Sequence, residues 1–176
     1  MNYADIKQFD IANGPGVRVS LFVSGCYHHC KNCFNEETWD FNYGSPYTKE
    51  TEDRIIEYIK PDYVEGITLL GGDPFALPNQ KPLVELLKRI REIYPCKTIW
   101  CFTGYLYDKE ILEDMAIDHE ETMELLNLID VLVDGRFVES LKNAKLRFKG
   151  SSNQRTILVK ESLEKGEIVL WDPNTR

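Results

Sequence analysis

The sequence contains no long apolar run. A helix needs roughly 20 consecutive, mostly apolar residues to cross a bilayer, and no stretch of this chain approaches that length. The N-terminal stretch MNYADIKQFD has neither the basic start nor the apolar run of a secretory signal. We therefore expect no membrane partner and a cytoplasmic location.

A basic block is also missing. The chain has 21 Lys and Arg against 29 Asp and Glu, which gives a formal net charge of -8, and the acidic residues are spread out rather than gathered in a tail. Binding to nucleic acids or anionic membranes depends on clustered cationic side chains that meet phosphates. The composition therefore predicts no nucleic-acid partner.

Cysteine is scarce, and a fourth closely spaced cysteine is absent. The chain has five cysteines, and three of them stand in the stretch SGCYHHCKNCFN, residues 24–35, with the spacing Cys-x3-Cys-x2-Cys. These three are Cys26, Cys30 and Cys33. An odd number of cysteines in a reducing compartment argues against a disulfide framework and favours metal or redox chemistry.

Two kinds of metal site remain open on this spacing. A structural zinc site normally takes four ligands in two pairs, and Cys96 and Cys101 do not form the second pair because they are five positions apart, at a helix end and in a strand. His28 or His29 offers a fourth ligand, although both stand in a tight loop. An iron–sulfur cubane held by three cysteines would instead leave one iron free for another ligand. Cys96 and Cys101 are expected to be inert buried thiols.

Hydrophobic periodicity predicts alternating strands and helices, which places the chain in the α/β class with a mostly parallel sheet. Strands are expected at 17–23, within GITLLGGDP (66–74), at 98–102 and within IDVLVDG (129–135), with further candidates at 156–160 and 167–171. Helices are expected at 51–60, 83–93, 108–115 and 120–127. The 176 residues predict one domain over 1–176, with a cluster loop at 24–35 and a C-terminal extension at 156–176.

Four unusual loops each follow a predicted strand. They are the cysteine stretch, GGDP, FTGY and VDGRF. Ligands of parallel α/β folds gather at the carboxyl ends of the strands, so we expect these loops to form one site. A complete eight-stranded barrel takes about 250 residues, so this chain can close only part of one and should be open on one side.

Five segments carry a resemblance to a known family. NGPGVRVSLFVSGCYHHCKNCFNEETW, GGDP, WCFTGY, VLVDGRF and GSSNQR, within about residues 9 to 155, resemble the anaerobic ribonucleoside-triphosphate reductase activating proteins. That family belongs to the glycyl-radical-enzyme activases of the radical S-adenosylmethionine class, whose three cysteines bind a 4Fe-4S cluster while S-adenosylmethionine chelates the fourth iron. The resemblance implies a partial, open (β/α) barrel of the radical S-adenosylmethionine type.

The resemblance also implies roles for individual residues. Cys26, Cys30 and Cys33 would hold the cluster, Gly71, Gly72 and Asp73 the methionyl amino group, Asp134 and Arg136 the methionyl and ribose groups, and Phe34 the adenine region. No catalytic side chain is implied beyond the cluster and the cofactor. From the residues alone, an ordinary strand-to-helix turn at GGDP and an ordinary surface turn at Asp134-Gly135 remain open.

The implied activity is that of an oxidoreductase activase. One electron from the cluster would cleave S-adenosylmethionine to methionine and a 5′-deoxyadenosyl radical, which takes a hydrogen from a glycine of the reductase. The implied partners are the glycyl radical subunit of the reductase and a low-potential electron donor such as flavodoxin or ferredoxin. The alternatives are activation of another glycyl-radical enzyme, such as pyruvate formate-lyase, and a non-catalytic zinc-binding module.

Overall fold

Seven strands form one sheet in the computed structural model of the chain, which describes residues 1–174. The strands are β1 (Asn2–Asp10), β2 (Val17–Val23), β3 (Ser45–Pro46), β4 (Val64–Gly71), β5 (Thr98–Phe102), β6 (Val131–Asp134) and β7 (Arg155–Leu158). Their order across the sheet is β3-β1-β2-β4-β5-β6-β7. The four central strands β2, β4, β5 and β6 are parallel, while β1, β3 and β7 join antiparallel at the two edges. The predicted parallel sheet is confirmed for its centre.

Five helices connect or flank the strands. They are α1 (Lys49–Ile59), α2 (Leu77–Ile93), α3 (Ala116–Asp118), α4 (Glu120–Leu128) and α5 (Val159–Lys165), and a π-helical segment, Tyr107–Met115, leads directly into α3. A capping box between Thr48 and Thr51 starts α1. Gly166 ends α5 in the left-handed conformation, with φ 68°. Among the described residues, no helix has the length and apolar character that a membrane crossing requires.

The two faces of the sheet have different neighbours because side chains alternate along each strand. One face packs against the helices and forms the main core, with Leu21, Leu69, Cys101 and Leu132 from the four parallel strands. The opposite, inner face carries the alternate positions, such as Phe22 on β2, Leu70 on β4 and Phe102 on β5. The inner face therefore lies beneath the loops at the carboxyl edge.

Large side chains fill the lower part of the inner face. Trp100 lies there with its ring centroid 5.6 Å from Phe148 and 5.2 Å from Trp171. Arg18 is fully buried beside it, with its guanidinium 5.8 Å from the Trp100 ring. Arg18 donates to the Thr68 hydroxyl at 2.8 Å, to the Thr98 hydroxyl at 2.9 Å and to three backbone carbonyls. Burial lowers its pKa to about 10. We call these four side chains, Arg18, Trp100, Phe148 and Trp171, the floor.

The C-terminal part departs from the predicted pattern. The strand expected at 156–160 ends at Leu158, where α5 begins. The strand expected at 167–171 is wrong, since only Leu170 forms a single bridge, to Ile157. The proposed extension 156–176 ends in residues 175–176, which lie outside the described residues.

Candidate functional site

A cavity of about 440 Å³ lies at the carboxyl edge of the parallel strands. The four loops singled out in the sequence all contribute to its wall, as the strand order predicted. From these loops the lining residues include Cys26, His28, Cys30, Cys33, Phe34, Gly71, Gly72, Asp73, Thr103, Gly104 and Gly135. The volume falls in the range of small-molecule sites, which is about 300–1,000 Å³.

The cysteine loop reaches this position through an unusual backbone. Gly25 has φ 101°, and a Cβ there would lie 2.1 Å from the Phe41 ring, so only glycine fits. His29 and Asn32 adopt left-handed conformations, with φ 48° and 55°. His29 stacks on Trp39 at 4.6 Å. The two left-handed residues curl the loop so that all three cysteines line the same cavity.

The thiols of this loop differ in their exposure to water, because Cys26 is buried while Cys30 and Cys33 are half-buried. Burial raises the pKa of Cys26 to about 11 and raises the pKa of Cys30 above its usual value. Because metals bind the thiolate, loading of this site releases protons. Three sulfur donors from one loop fit an iron–sulfur cluster that keeps one iron open.

A second donor set, at Cys26, His28 and Asp73, has ligand atoms within 4.8 Å of one another. Such a mixed set would fit zinc. However, His28 Nε2 already bonds to the Asp73 carboxylate at 2.8 Å. The same carboxylate accepts hydrogen bonds from the Thr103 hydroxyl at 2.8 Å and from the Gly104 N–H at 2.9 Å. The histidine and the carboxylate are therefore engaged with the protein itself.

Asp73 fastens the GGDP loop to its neighbours. Its side chain is 1% exposed, and besides these partners it accepts the Phe75 N–H at 2.9 Å. The Gly72 N–H donates to Val23, and the Asp73 N–H donates to Gly25. A Cβ at Gly72 would lie 2.5 Å from the Gly25 carbonyl oxygen, so glycine permits this close approach. Gly71, Gly72 and Asp73 line the cavity as expected, and their role toward a cofactor stays a prediction.

His28 connects three of the four loops. Arg136 donates from Nε to His28 Nδ1 at 3.1 Å, so the hydrogen-bond network assigns the imidazole proton to Nε2, which donates to Asp73. Gly104 makes room for the ring, because a Cβ there would lie 2.3 Å from His28. No local pattern in the sequence predicts this role of His28.

Asp134 and Arg136 point to different places. Asp134 shares a face of β6 with Leu132, which packs on the helices, and it is fully buried. Its carboxylate pairs with Arg155 and accepts the Tyr107 N–H at 2.8 Å. Arg136 is exposed at the rim and also contacts Glu110 at 3.2 Å. The structure does not bring the Asp134 and Arg136 side chains together, and their roles toward a cofactor stay predictions.

The remaining candidates divide between rim and core. Phe34 lines the cavity and is 61% exposed, with Phe137 at 5.0 Å between ring centroids. Cys101 is buried in the helix-facing core, as expected for an inert thiol. Cys96 is exposed, so its predicted burial is wrong. It follows a helix end in a polar turn, where little apolar surface covers it.

Asn79 has a structural role that the sequence reading missed. It is fully buried in the first turn of α2. Its side-chain amide donates to the carbonyl of Ser24 and to the carbonyl of Asp73, both at 3.0 Å. One side chain thus ties the start of the cysteine loop to the GGDP loop.

Comparison with known proteins identifies the family. A family model for a 4Fe-4S single cluster domain matches residues 12–157 and indicates a cluster of that type. The anaerobic ribonucleoside-triphosphate reductase-activating protein of Escherichia coli K12 is 44% identical over 88% of this chain and 96% of that protein. Proteins of the same name from Vibrio cholerae and Enterobacteria phage T4 are 40% and 37% identical, over 88% of this chain and 96% and 92% of their own lengths. The chain therefore belongs to the family of anaerobic ribonucleoside-triphosphate reductase-activating proteins.

Proposed function

We propose that this chain is a radical S-adenosylmethionine enzyme that forms a glycyl radical on an anaerobic ribonucleoside-triphosphate reductase. The observation that carries the proposal is the convergence of Cys26, Cys30 and Cys33, from one loop, on one cavity. Three thiolates suit a cubane cluster with one iron open to a further ligand. The names of the relatives support the reductase as the partner. A low-potential electron donor such as flavodoxin or ferredoxin completes the proposal.

The sheet supports a partial barrel of the radical S-adenosylmethionine type. Helices pack on one face of its four parallel strands. The other, inner face packs against the side chains of the floor. Loops at the carboxyl edge of such strands are where ligands bind in parallel α/β folds. An incomplete barrel leaves a side by which a loop of a large protein can approach.

When bound, the cluster and S-adenosylmethionine would supply a one-electron cleavage of the sulfonium bond and remove one hydrogen atom from a glycine of the partner. The residues of this chain hold and orient these groups. Cys26, Cys30 and Cys33 lose their protons and bind iron. The N–H groups of Gly72 and Asp73 are bonded within the protein, and the Asp73 carbonyl accepts from Ala76 and Asn79. The carbonyl oxygens of Gly71 and Gly72 would therefore be the groups that meet an amino group.

Positioning is the main contribution of the protein, because a primary alkyl radical reacts with whatever lies close to it. Asp73 fixes the GGDP loop against Thr103 and Gly104 in the loop that follows β5. At the neighbouring loop, a Cβ at Gly135 would have no neighbour closer than 3.6 Å, so the wall there leaves room. Together with the contact of His28 to Asp73, these hydrogen bonds hold the cysteine, GGDP and FTGY loops at fixed distances from one another.

Electron paramagnetic resonance tests the proposal directly. The reduced protein, mixed anaerobically with S-adenosylmethionine and the reductase, should give a carbon-centred radical in the reductase and an equivalent amount of 5′-deoxyadenosine. Pyruvate formate-lyase in place of the reductase should give no radical. Activation of formate-lyase alone would overturn the choice of partner. Failure of cofactor cleavage with a loaded, reduced cluster would overturn the activity itself.

Metal analysis separates this proposal from the zinc-binding module. After anaerobic reconstitution, the activase should contain iron and sulfide and be brown. A colourless protein that binds zinc through Cys26, His28 and Asp73 would support the non-catalytic alternative, since these three residues supply the mixed donor set described above.

A further inference from the structure

The segment 142–149, here called the basic loop, concentrates positive charge in an acidic chain. Between Arg136 and Lys160 the sequence has seven Lys and Arg residues and one acidic residue, Glu139, whereas the whole chain has a net charge of -8. The cations of the basic loop are Lys142, Lys145, Arg147 and Lys149. The sequence reading found no basic block because these residues are separated by others, but the fold gathers them on one surface.

Within residues 1–174, cations of the basic loop contact aromatic rings and carbonyl oxygens rather than carboxylates. In the part of the chain that the structure describes, none of its four cations forms an ion pair with a carboxylate. Lys142 lies 4.8 Å above the Phe34 ring, and Arg147 lies 5.4 Å from the Phe148 ring. Lys149 donates to the Gln154 carbonyl at 3.0 Å. Like charges on one short loop repel each other, so the loop is suited to an anionic surface supplied from outside.

The basic loop forms part of the cavity rim. Lys145, Arg147 and Lys149 line a surface pocket of about 580 Å³ beside the cavity. Lys149 and Leu146 line both this pocket and the cavity that the three cysteines share. A macromolecule that inserts a loop into the cavity must therefore rest against the basic loop.

Apolar side chains stand next to these charges. Phe34 is 61% exposed and lies under Lys142, and Leu141, at the start of the segment, is 42% exposed. Exposed aromatic and aliphatic side chains bordered by cations are typical of protein docking surfaces. A nucleic acid is disfavoured because the rest of this acidic surface repels a long polyphosphate.

We propose that Lys142, Lys145 and Arg147 dock an acidic surface of the reductase that surrounds its glycine loop. The proposal rests on the proposed function, because it assumes that the reductase inserts that loop into the cavity. Charges at the rim of an interface act mainly on the association rate and on its dependence on salt. The basic loop would therefore steer the partner so that its glycine loop meets the opening.

The test reverses two charges and compares two matched variants. Lys145→Glu/Arg147→Glu reverses two charges of the basic loop at residues that do not themselves line the cavity, and it keeps the contact between Lys142 and Phe34. Lys81→Glu/Lys160→Glu changes the net charge by the same amount at two exposed positions in α2 and α5. Affinity of each reconstituted activase for the reductase is measured by calorimetry at low and high salt.

The basic-loop variant should bind the reductase at least about tenfold more weakly at low salt, with the difference shrinking at high salt. The control variant should bind like the unmodified protein. Reductant-driven cleavage of S-adenosylmethionine without the reductase should be equal in all three. Equal affinity of the two variants at low salt would overturn the docking surface. If the unmodified protein activates the reductase in that case, the proposed function stands and only this inference fails.

Discussion

His28 Nε2 and a carboxylate oxygen of Asp73 lie 2.8 Å apart, and the two side chains are 4% and 1% exposed. This buried contact joins the cysteine loop to the GGDP loop across 45 residues of sequence. Arg136 contacts the other nitrogen of the same ring. The relative positions of three loops are therefore fixed by the protein's own hydrogen bonds, which prearranges the site for its ligands.

The first prediction concerns the cysteines. Replacement of Cys26, Cys30 or Cys33 by Ala should abolish cluster assembly, because a cubane with two protein ligands is not retained. Cys96→Ala should bind a full complement of iron and sulfide, since that thiol is exposed and far from the cysteine loop in sequence. Iron and sulfide content and visible absorbance after reconstitution provide the measurement. Full loading of any variant of the first three would contradict the assignment of the cluster ligands.

Arg136→Ala should leave the cluster intact and weaken the binding of S-adenosylmethionine. Loss of a charge-assisted hydrogen bond costs about 1.5–3 kcal/mol, which corresponds to a roughly ten- to hundred-fold higher dissociation constant. Titration calorimetry of the reconstituted protein measures the change. Arg54→Ala, which removes an exposed arginine of α1 that donates to Tyr3, is the matched control. Equal affinities of the two variants for S-adenosylmethionine would show that Arg136 does not bind the cofactor and contacts only His28 and Glu110.

Asn79→Leu should destabilise the fold and loosen the site together. The substitution removes the side-chain donor to the Ser24 carbonyl and leaves the Asp73 carbonyl with only the Ala76 N–H, which should lower the free energy of unfolding by about 1–3 kcal/mol. Chemical denaturation measures this loss. Asn127→Ala removes an exposed amide that bonds within α4 and should change stability by less than about 0.5 kcal/mol. Similar stabilities of both variants would show that Asn79 does not tie the two loops.

Asp108→Asn should alter stability at neutral pH but not in acid. Arg155 donates a hydrogen bond to the Asp108 carboxylate, which holds the pKa of Asp108 below its usual value of 3.8. The stabilisation is present above 3.8 and is lost as the pH falls through the lowered value. Because both side chains are partly exposed, the effect at neutral pH should be about 1 kcal/mol or less. Urea denaturation from about pH 7 to about pH 2 should show that the free energies of unfolding of the variant and the unmodified protein become equal in acid. A constant difference over that range would refute the ion pair as the cause.

Much of the sheet centre was predictable because its strands have a simple pattern. The boundaries of β2 and β5 agree with the sequence prediction, since their residues alternate between the helix-facing core and the inner face. β1 was not predicted because its stretch NYADIKQFD mixes polar and apolar residues on both faces. Its strand structure depends on pairing with β2. The N-terminal start of α2 was missed because Pro78 and Pro82 resemble loop residues. Pro78 lies in the first turn, where a helix tolerates proline, whereas Pro82 lies inside the helix.

The site was predictable only as far as local spacing reaches. Cys26, Cys30 and Cys33 are identified by their spacing within one loop. The contact of His28 with Arg136 spans 108 residues and has no local signal. The side-chain direction of Asp134 does have a local signal. The alternation along β6 places Asp134 on the same face as Leu132, toward the helices. Family resemblance did not reveal that side-chain direction.

The floor of the inner face closes the lower end of the cavity, which determines how ligands can leave it. Arg18 and Trp100 are at most 2% exposed, and Phe148 and Trp171 pack against Trp100. Side chains therefore fill the lower end of the space next to the inner face. Small molecules therefore do not leave the cavity through the floor, and they enter and leave through its open part, by which the proposed glycine loop of the reductase would also approach. If the proposed function holds, a glycine loop of the reductase in this opening would block the exit of spent cofactor, so each encounter would be limited to one cleavage.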